Sequence, residues 1–197
     1  MKIHDISQEV FSCTVYPGDP APVKQTLSSM ESGELYNLTA FSMCAHNGTH
    51  IDAPLHFIAD GKSVDELALD ATVGFAYVAE CEGDISAEDA REILCIAKNA
   101  LVGAEKRILI KGNAVVTEVA AEVFAAEKTL LLGVEGQTVG PENAPMQVHK
   151  ILLGAGAVLL EGVRLGDVSA GACFLSAAPL NLAGADGAPC RAYIIEI

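Results

Sequence analysis

The chain has no tryptophan, few basic residues and no long apolar run, and each shortage excludes something. Its 12 Lys and Arg stand against 26 Asp and Glu, for a formal net charge of -14. So acidic a surface repels phosphate backbones and anionic lipid, which argues against nucleic-acid and membrane partners. The longest apolar stretch, 151–160, is cut by Gly154 and Gly156 and is too short to cross a bilayer. No apolar segment follows Met1-Lys2-Ile3-His4-Asp5, so no signal peptide is expected, and the location expected is cytoplasmic. The six cysteines form no C-x-x-C pair and have mostly apolar neighbours, which reads as reduced, largely buried thiols.

With 197 residues, 51% of them hydrophobic, the chain can build one sizeable core, and a single domain over 1–197 is expected. Strand-like and helix-like stretches alternate, which indicates an α/β class. "RILIK" (107–111), "TLLLGV" (129–134), "AVLLE" (157–161) and "RAYIIEI" (191–197) read as strands, as does 73–81. Residues 35–45 alternate as a half-buried strand would. Ser86 to Asp89 forms a capping box before a helix with Ala90, Ile93, Leu94, Ala97 and Leu101 on one stripe. Residues 117–127 are Ala-rich and helical in character, and Pro145 suits the first turn of a helix reaching about Gly154. Residues 1–85 lack regular βαβ spacing, so a mixed sheet is expected.

Three of the five histidines crowd into "AHNGTHIDAPLHF", residues 45–57. On a flat strand His46 and His50 would lie about 13 Å apart, too far to share one ion. Gly48 and Pro54 argue against a helix. A bend at Asn47-Gly48 remains, after which His50 and Asp52 leave on one face. Histidine with carboxylate suits zinc best, with manganese or iron possible. Further ligands must come from elsewhere, and His149 and Glu161 are the candidates. Glu161 ends an apolar run, where a carboxylate is costly unless it is paired, with Arg164 for example, or bound to metal. His4 and Asp5 read as structural.

"HNGTHIDAPLH", 46–56, resembles H-x-G-T-H-x-D-x-P-x-H, the signature of the metal-dependent cyclase family, which includes bacterial kynurenine formamidase and isatin hydrolase. "DIS" (5–7), "YPGDP" (16–20), "LEGV" (160–163) and "AAPLNLAGADGAPCRA" (177–192) resemble other parts of that family in order. The resemblance implies a swivelling β/β/α fold assembled as a homodimer or homotetramer. It implies His46, His50, Asp52, His149 and Glu161 as ligands of one or two Zn2+ ions, or of Mn2+, with His56 as the acid/base residue. The activity implied is hydrolysis of a C–N bond in a small formamide, amide or cyclic amide through a metal-activated water. Ring closure or dehydration in biosynthesis, or a non-catalytic metal-binding role, are the alternatives. Two segments depart from the formamidase pattern: Lys111-Gly112-Asn113, where a Thr-Gly-Trp-like stretch is common, and "GVEGQTVGP" at 133–141.

Overall fold

The structure, a computed structural model, describes residues 1–197. In chain order come β1 (Ile3–Asp5), β2 (Val23–Ser28), β3 (Leu38–Ser42), β4 (His50–Asp52), α1 (Leu69–Thr72), β5 (Val73–Glu80) and β6 (Gly83–Ile85). There follow α2 (Ala87–Ala100), β7 (Arg107–Lys111), β8 (Ala114–Val116), α3 (Glu118–Ala126), β9 (Leu131–Val134), α4 (Met146–Gly154) and β10 (Val158–Glu161). The chain closes with β11 (Gly171–Ser176), β12 (Gly187–Pro189) and β13 (Tyr193–Glu196).

Nine strands form one mixed sheet in the order β1-β13-β11-β5-β7-β9-β10-β4-β12. The centre, β5-β7-β9-β10, is parallel, because α2, α3 and α4 return the chain across one face. Both flanks are antiparallel, so the class is α/β with the expected mixed sheet. The central strands are apolar on both faces, as a sheet covered on both sides requires. Ile108, Ile110, Leu132 and Leu159 join Ile93, Phe124 and Leu152 under the helices. Leu109, Leu131 and Leu160 point the other way, into a cluster with Ile51, Leu175 and Ile194. Ile51 and Ile194 come from opposite flanks, so the sheet is curled around this second core.

The capping box at Ser86 and Asp89 forms as the spacing requires, and Ala90, Ile93, Leu94 and Ala97 face inward. Two expectations are corrected. Strand β3 is not half-buried: with β2 it forms a separate two-stranded ribbon whose Phe41 and Leu38 are exposed. Nor are the cysteines largely buried: Cys173 is inside, Cys13, Cys44, Cys81 and Cys190 are half-buried and Cys95 is exposed; all six are free thiols.

Candidate metal centre

The site starts from the bend. Asn47 turns its side chain back, so that its Oδ1 accepts the Cys44 N–H at 2.9 Å. Gly48 follows with φ +65°, the left-handed region, and a Cβ there would stand 2.8 Å from Cys13 Cβ. After the turn β4 begins, held between β10 and β12. The reversal brings the His46 and His50 rings to a centroid distance of 5.1 Å.

Strand parity and register bring in the rest. Ile51 belongs to the second core, so His50 and Asp52 face the helical side. In β10, Leu160 shares that second core, so Glu161 also faces the helices. The β10–β4 ladder pairs Glu161 with His50 and Leu159 with Asp52. Helix α4 crosses above and lowers His149 into the same space. Its Nδ1–H donates to Pro145 O at 2.9 Å, which turns Nε2 toward the carboxylates. His149 Nε2 stands 3.2 Å from Glu161 Oε1 and 3.7 Å from Asp52 Oδ2. His50 Nε2 stands 3.3 Å from Asp52 Oδ1 and 3.6 Å from Glu161 Oε2. All five residues expected from the sequence to bind metal therefore converge. The Glu161–Arg164 pair does not form: Arg164 donates instead to Glu135 O and Thr14 Oγ1, leaving Glu161 to the histidines and to the Val139 N–H at 2.8 Å. His4 and Asp5 pair with Glu196 and Arg191, outside this cluster.

His50, Asp52, His149 and Glu161 are each at most 3% exposed. Two carboxylates in so dry a space are costly unless cations face them. Burial pushes Asp52 up, but hydrogen bonds and charge from His46 and His50 outweigh it and hold the carboxyl well below its usual range. Glu161 is driven the other way, by burial and by the Asp52 charge, only partly relieved by His149 and His50. Burial pulls His46 down, yet Asp52 and Asp186 overcome that and raise it to about 9.

The donor set fits a divalent cation. Asp52 Oδ2 is buried and has no hydrogen-bond partner. Separations of 3.2–3.7 Å among the His50, His149, Asp52 and Glu161 atoms run from the long end of the hydrogen-bond range to beyond it. They match the edges of a coordination shell, since ligands 2.0–2.1 Å from one tetrahedral ion lie about 3.4 Å from each other. Two overlapping trios, His46–His50–Asp52 and Asp52–His149–Glu161, each place one ligand atom per residue within 4.8 Å of the others.

His56 lies beside this set. Pro54 opens a 3-10 turn over Pro54–His56, closed by the His56 N–H on Ala53 O at 2.9 Å. The turn stacks the His56 ring on His46, with centroids 4.1 Å apart. Burial lowers the His56 pKa, and Asp52 and Asp186 only partly restore it, so the ring tends to the neutral form. A cavity of about 300 Å³ opens over His46, His50, His56, His149 and Glu161; Tyr16, Asp19, Cys44, Phe57, Gln137 and Thr138 also line it. A larger cavity of about 660 Å³, beside Gln8 and Arg191, contains none of the candidate ligands.

One residue escaped the sequence reading. Asp186 Oδ2 stands 2.9 Å from His46 Nε2 and 3.1 Å from His56 Nδ1. In the sequence it belongs to "AGADGAP", where Asp-Gly reads as a turn and nothing marks a carboxylate as special.

Residues 4–141 match the family model named Cyclase, described as "Putative cyclase". Solved structures match over nearly the whole length. One, described as a potential metal-dependent hydrolase with cyclase activity, is 27% identical, with a TM-score of 0.81 over 98% of this chain and 96% of that one. Another, described as a predicted metal-dependent hydrolase from Bacillus stearothermophilus, is also 27% identical, with a TM-score of 0.79 over 98% and 97% of the two chains. Isatin hydrolase A from Labrenzia aggregata shares the fold at 22% identity, with a TM-score of 0.82 over 98% and 93%.

Proposed function

The chain belongs to the cyclase family, and on that premise we propose that it is a metal-dependent hydrolase of small formamides, amides or cyclic amides. The observation that carries this reading is the buried convergence of three histidines and two carboxylates around the unpartnered Asp52 Oδ2, with a neutral-tending His56 at the same cavity. Similarity to chains described as metal-dependent hydrolases supports it.

His46, His50, Asp52, His149 and Glu161 would hold one or two ions, with zinc favoured by the histidine-carboxylate set and manganese next. A divalent cation there would acidify a water and polarise a substrate carbonyl. The Val139 N–H fixes Glu161 and the Pro145 carbonyl fixes His149, so both are held before any ligand arrives. His56, bonded to Asp186 through Nδ1, keeps Nε2 to accept a proton from the attacking water and return it to the leaving nitrogen. Proton transfer of this kind contributes roughly 10²–10⁴-fold. Phe57 and Tyr16 give the cavity aromatic walls, and no Lys or Arg lines it to meet a substrate carboxylate.

Assembly as a homodimer or homotetramer is part of the reading. The β2–β3 ribbon pairs with no other strand and exposes Val23, Leu27, Tyr36, Leu38 and Phe41, with Leu35 94% exposed at its turn. A lone two-stranded ribbon is marginal in water. A standard interface takes about 800 Å² of surface from each partner, and a second copy is the cover we propose for these side chains.

The test is a screen of aryl formamides, lactams and imides with the zinc-loaded protein, with product analysis. Ring opening or deformylation that disappears in His56→Ala, while the metal stays, supports the reading. Turnover only in the ring-closing direction would replace it with a cyclase. Full hydrolysis by His56→Ala would sink the role given to that residue.

A further inference from the structure

We propose that Asp186 is a positioning residue that sets the tautomers of His46 and His56 together through one carboxylate oxygen. Its consequence for turnover rests on the hydrolase reading above; the tautomers themselves rest on geometry alone.

Asp186 Oδ2 faces His46 Nε2 at 2.9 Å and His56 Nδ1 at 3.1 Å. An ionised carboxylate only accepts, so both nitrogens must be N–H donors. The two rings are thereby assigned opposite working atoms. His46 donates through Nε2, and its Nδ1, 2.8 Å from Asp52 Oδ1, faces the candidate metal ligands. His56 donates through Nδ1 and leaves Nε2 to the cavity. An imidazole left to itself favours the proton on Nε2. In His56 that preference would fill the very atom that has to accept a proton.

The backbone is shaped to put the carboxylate there. Asp186 O accepts the Ala53 N–H at 2.9 Å, and Ala185 O accepts the Val64 N–H at 2.8 Å. Ala53 immediately precedes the Pro54–His56 turn, so a single backbone bond ties Asp186 to the residue it orients. The next residue, Gly187, pairs with Asp52 in the β12–β4 ladder. A Cβ on Gly187 would fall 2.6 Å from His46 Cε1. The missing side chain lets the His46 ring lie against β12, and this brings Nε2 to the neighbouring carboxylate. The near-parallel His46–His56 stack, at an interplanar angle of 28°, then presents both nitrogens to one oxygen.

The same three side chains could instead hold an ion, since one ligand atom from each lies within 4.8 Å of the others. Hydrogen-bond distances on both arms favour protons there.

The test uses zinc-loaded protein labelled with ¹⁵N-histidine, read by long-range ¹H–¹⁵N correlation, with Asp186→Ala and Asp186→Asn beside the wild type. The expected wild-type pattern is Nδ1–H at His56 and Nε2–H at His46. Asp186→Ala should populate Nε2–H at His56 while retaining the zinc stoichiometry. On any formanilide or lactam that is turned over, kcat should fall about 10–100-fold with KM nearly unchanged, the loss typical of an orienting partner. Asp186→Glu, which restores a carboxylate, should recover part of it. An unchanged His56 tautomer in Asp186→Ala and Asp186→Asn overturns the proposal. So does loss of a whole zinc equivalent in Asp186→Asn, which would make Asp186 a ligand. If the wild type turns over nothing, the hydrolase reading fails, while the tautomer measurement still decides the role of Asp186.

Discussion

Glu161 and His50 stand directly opposite each other in the β10–β4 ladder, with both side chains on the face that α4 covers. One residue of slip would send His50, Asp52 and Glu161 into the apolar core around Ile51 and Leu160 instead. The candidate metal centre is therefore specified by the same register that packs the sheet.

Acid and base should act in opposite directions on the metal-free and metal-loaded protein. Burial pulls His46 down, but Asp52 and Asp186 win and raise it from 6.5 to about 9. A raised folded-state pKa means the proton stabilises the metal-free fold. That contribution is complete below 6.5 and is lost as pH climbs through about 9. Metal must displace the Nδ1 proton, so zinc affinity should rise over the same interval. Denaturant melts of metal-free protein and zinc titrations across pH 6–9.5 check both slopes, and parallel slopes would contradict the assignment.

Gly187→Ala should be costly although it adds one methyl group. The new Cβ would fall 2.6 Å from His46 Cε1 and 2.8 Å from Ile51 O, one of them backbone that cannot yield cheaply. Overpacking of this kind costs about 1–3 kcal/mol. Urea melts of the metal-free protein should show the loss, and zinc affinity should fall as His46 is displaced. A midpoint equal to wild type would mean that His46 does not lie against β12.

Charge on the substrate should matter. The cavity contains Asp19 and no Lys or Arg, on a chain of net charge -14. Among lactams or formanilides matched in size, neutral compounds should be turned over with higher kcat/KM than carboxylated ones. Asp19→Asn should narrow that gap. A preference for the carboxylated member would contradict this expectation and would mean that the bound metal, or a cation from outside this cavity lining, draws the carboxylate in.

The exposed ribbon should govern assembly. Sedimentation of the wild type should give a dimer or tetramer, and replacing Leu35 and Phe41 with Ser should shift it toward smaller species. A monomeric wild type would leave the ribbon without the cover argued for it.

The sequence carried the site further than it carried the sheet. Ligand-type residues around Asn47-Gly48 were legible because a turn dipeptide and strict alternation leave few ways to place His46, His50 and Asp52. Glu161 stood out as a charge ending an apolar strand, although Arg164 offered an equally local partner until the fold turned it toward Glu135 and Thr14. Asp186 was invisible because its role comes from a pairing of β12 with β4 across more than 130 residues. Strand β12 itself, Gly-Ala-Pro, has no strand character; Pro189 fits there because β12 is the sheet's edge. The alternation in 35–45 is real, but alternation reports a two-faced strand and not what covers it. Here only Ala40 of β3 is half-buried, and Phe41, though met edge-on by the Phe11 ring, stays exposed.

The most direct measurement is metal stoichiometry by elemental analysis, on wild-type protein and Asp52→Asn equilibrated with zinc and then freed of excess. Asp52 belongs to both overlapping ligand trios, and its Oδ2 is buried with no hydrogen-bond partner. The account predicts at least one tightly held equivalent in the wild type and its loss in the variant, with the fold retained by circular dichroism. A wild type that holds no metal, or a variant that holds as much as the wild type, would contradict it.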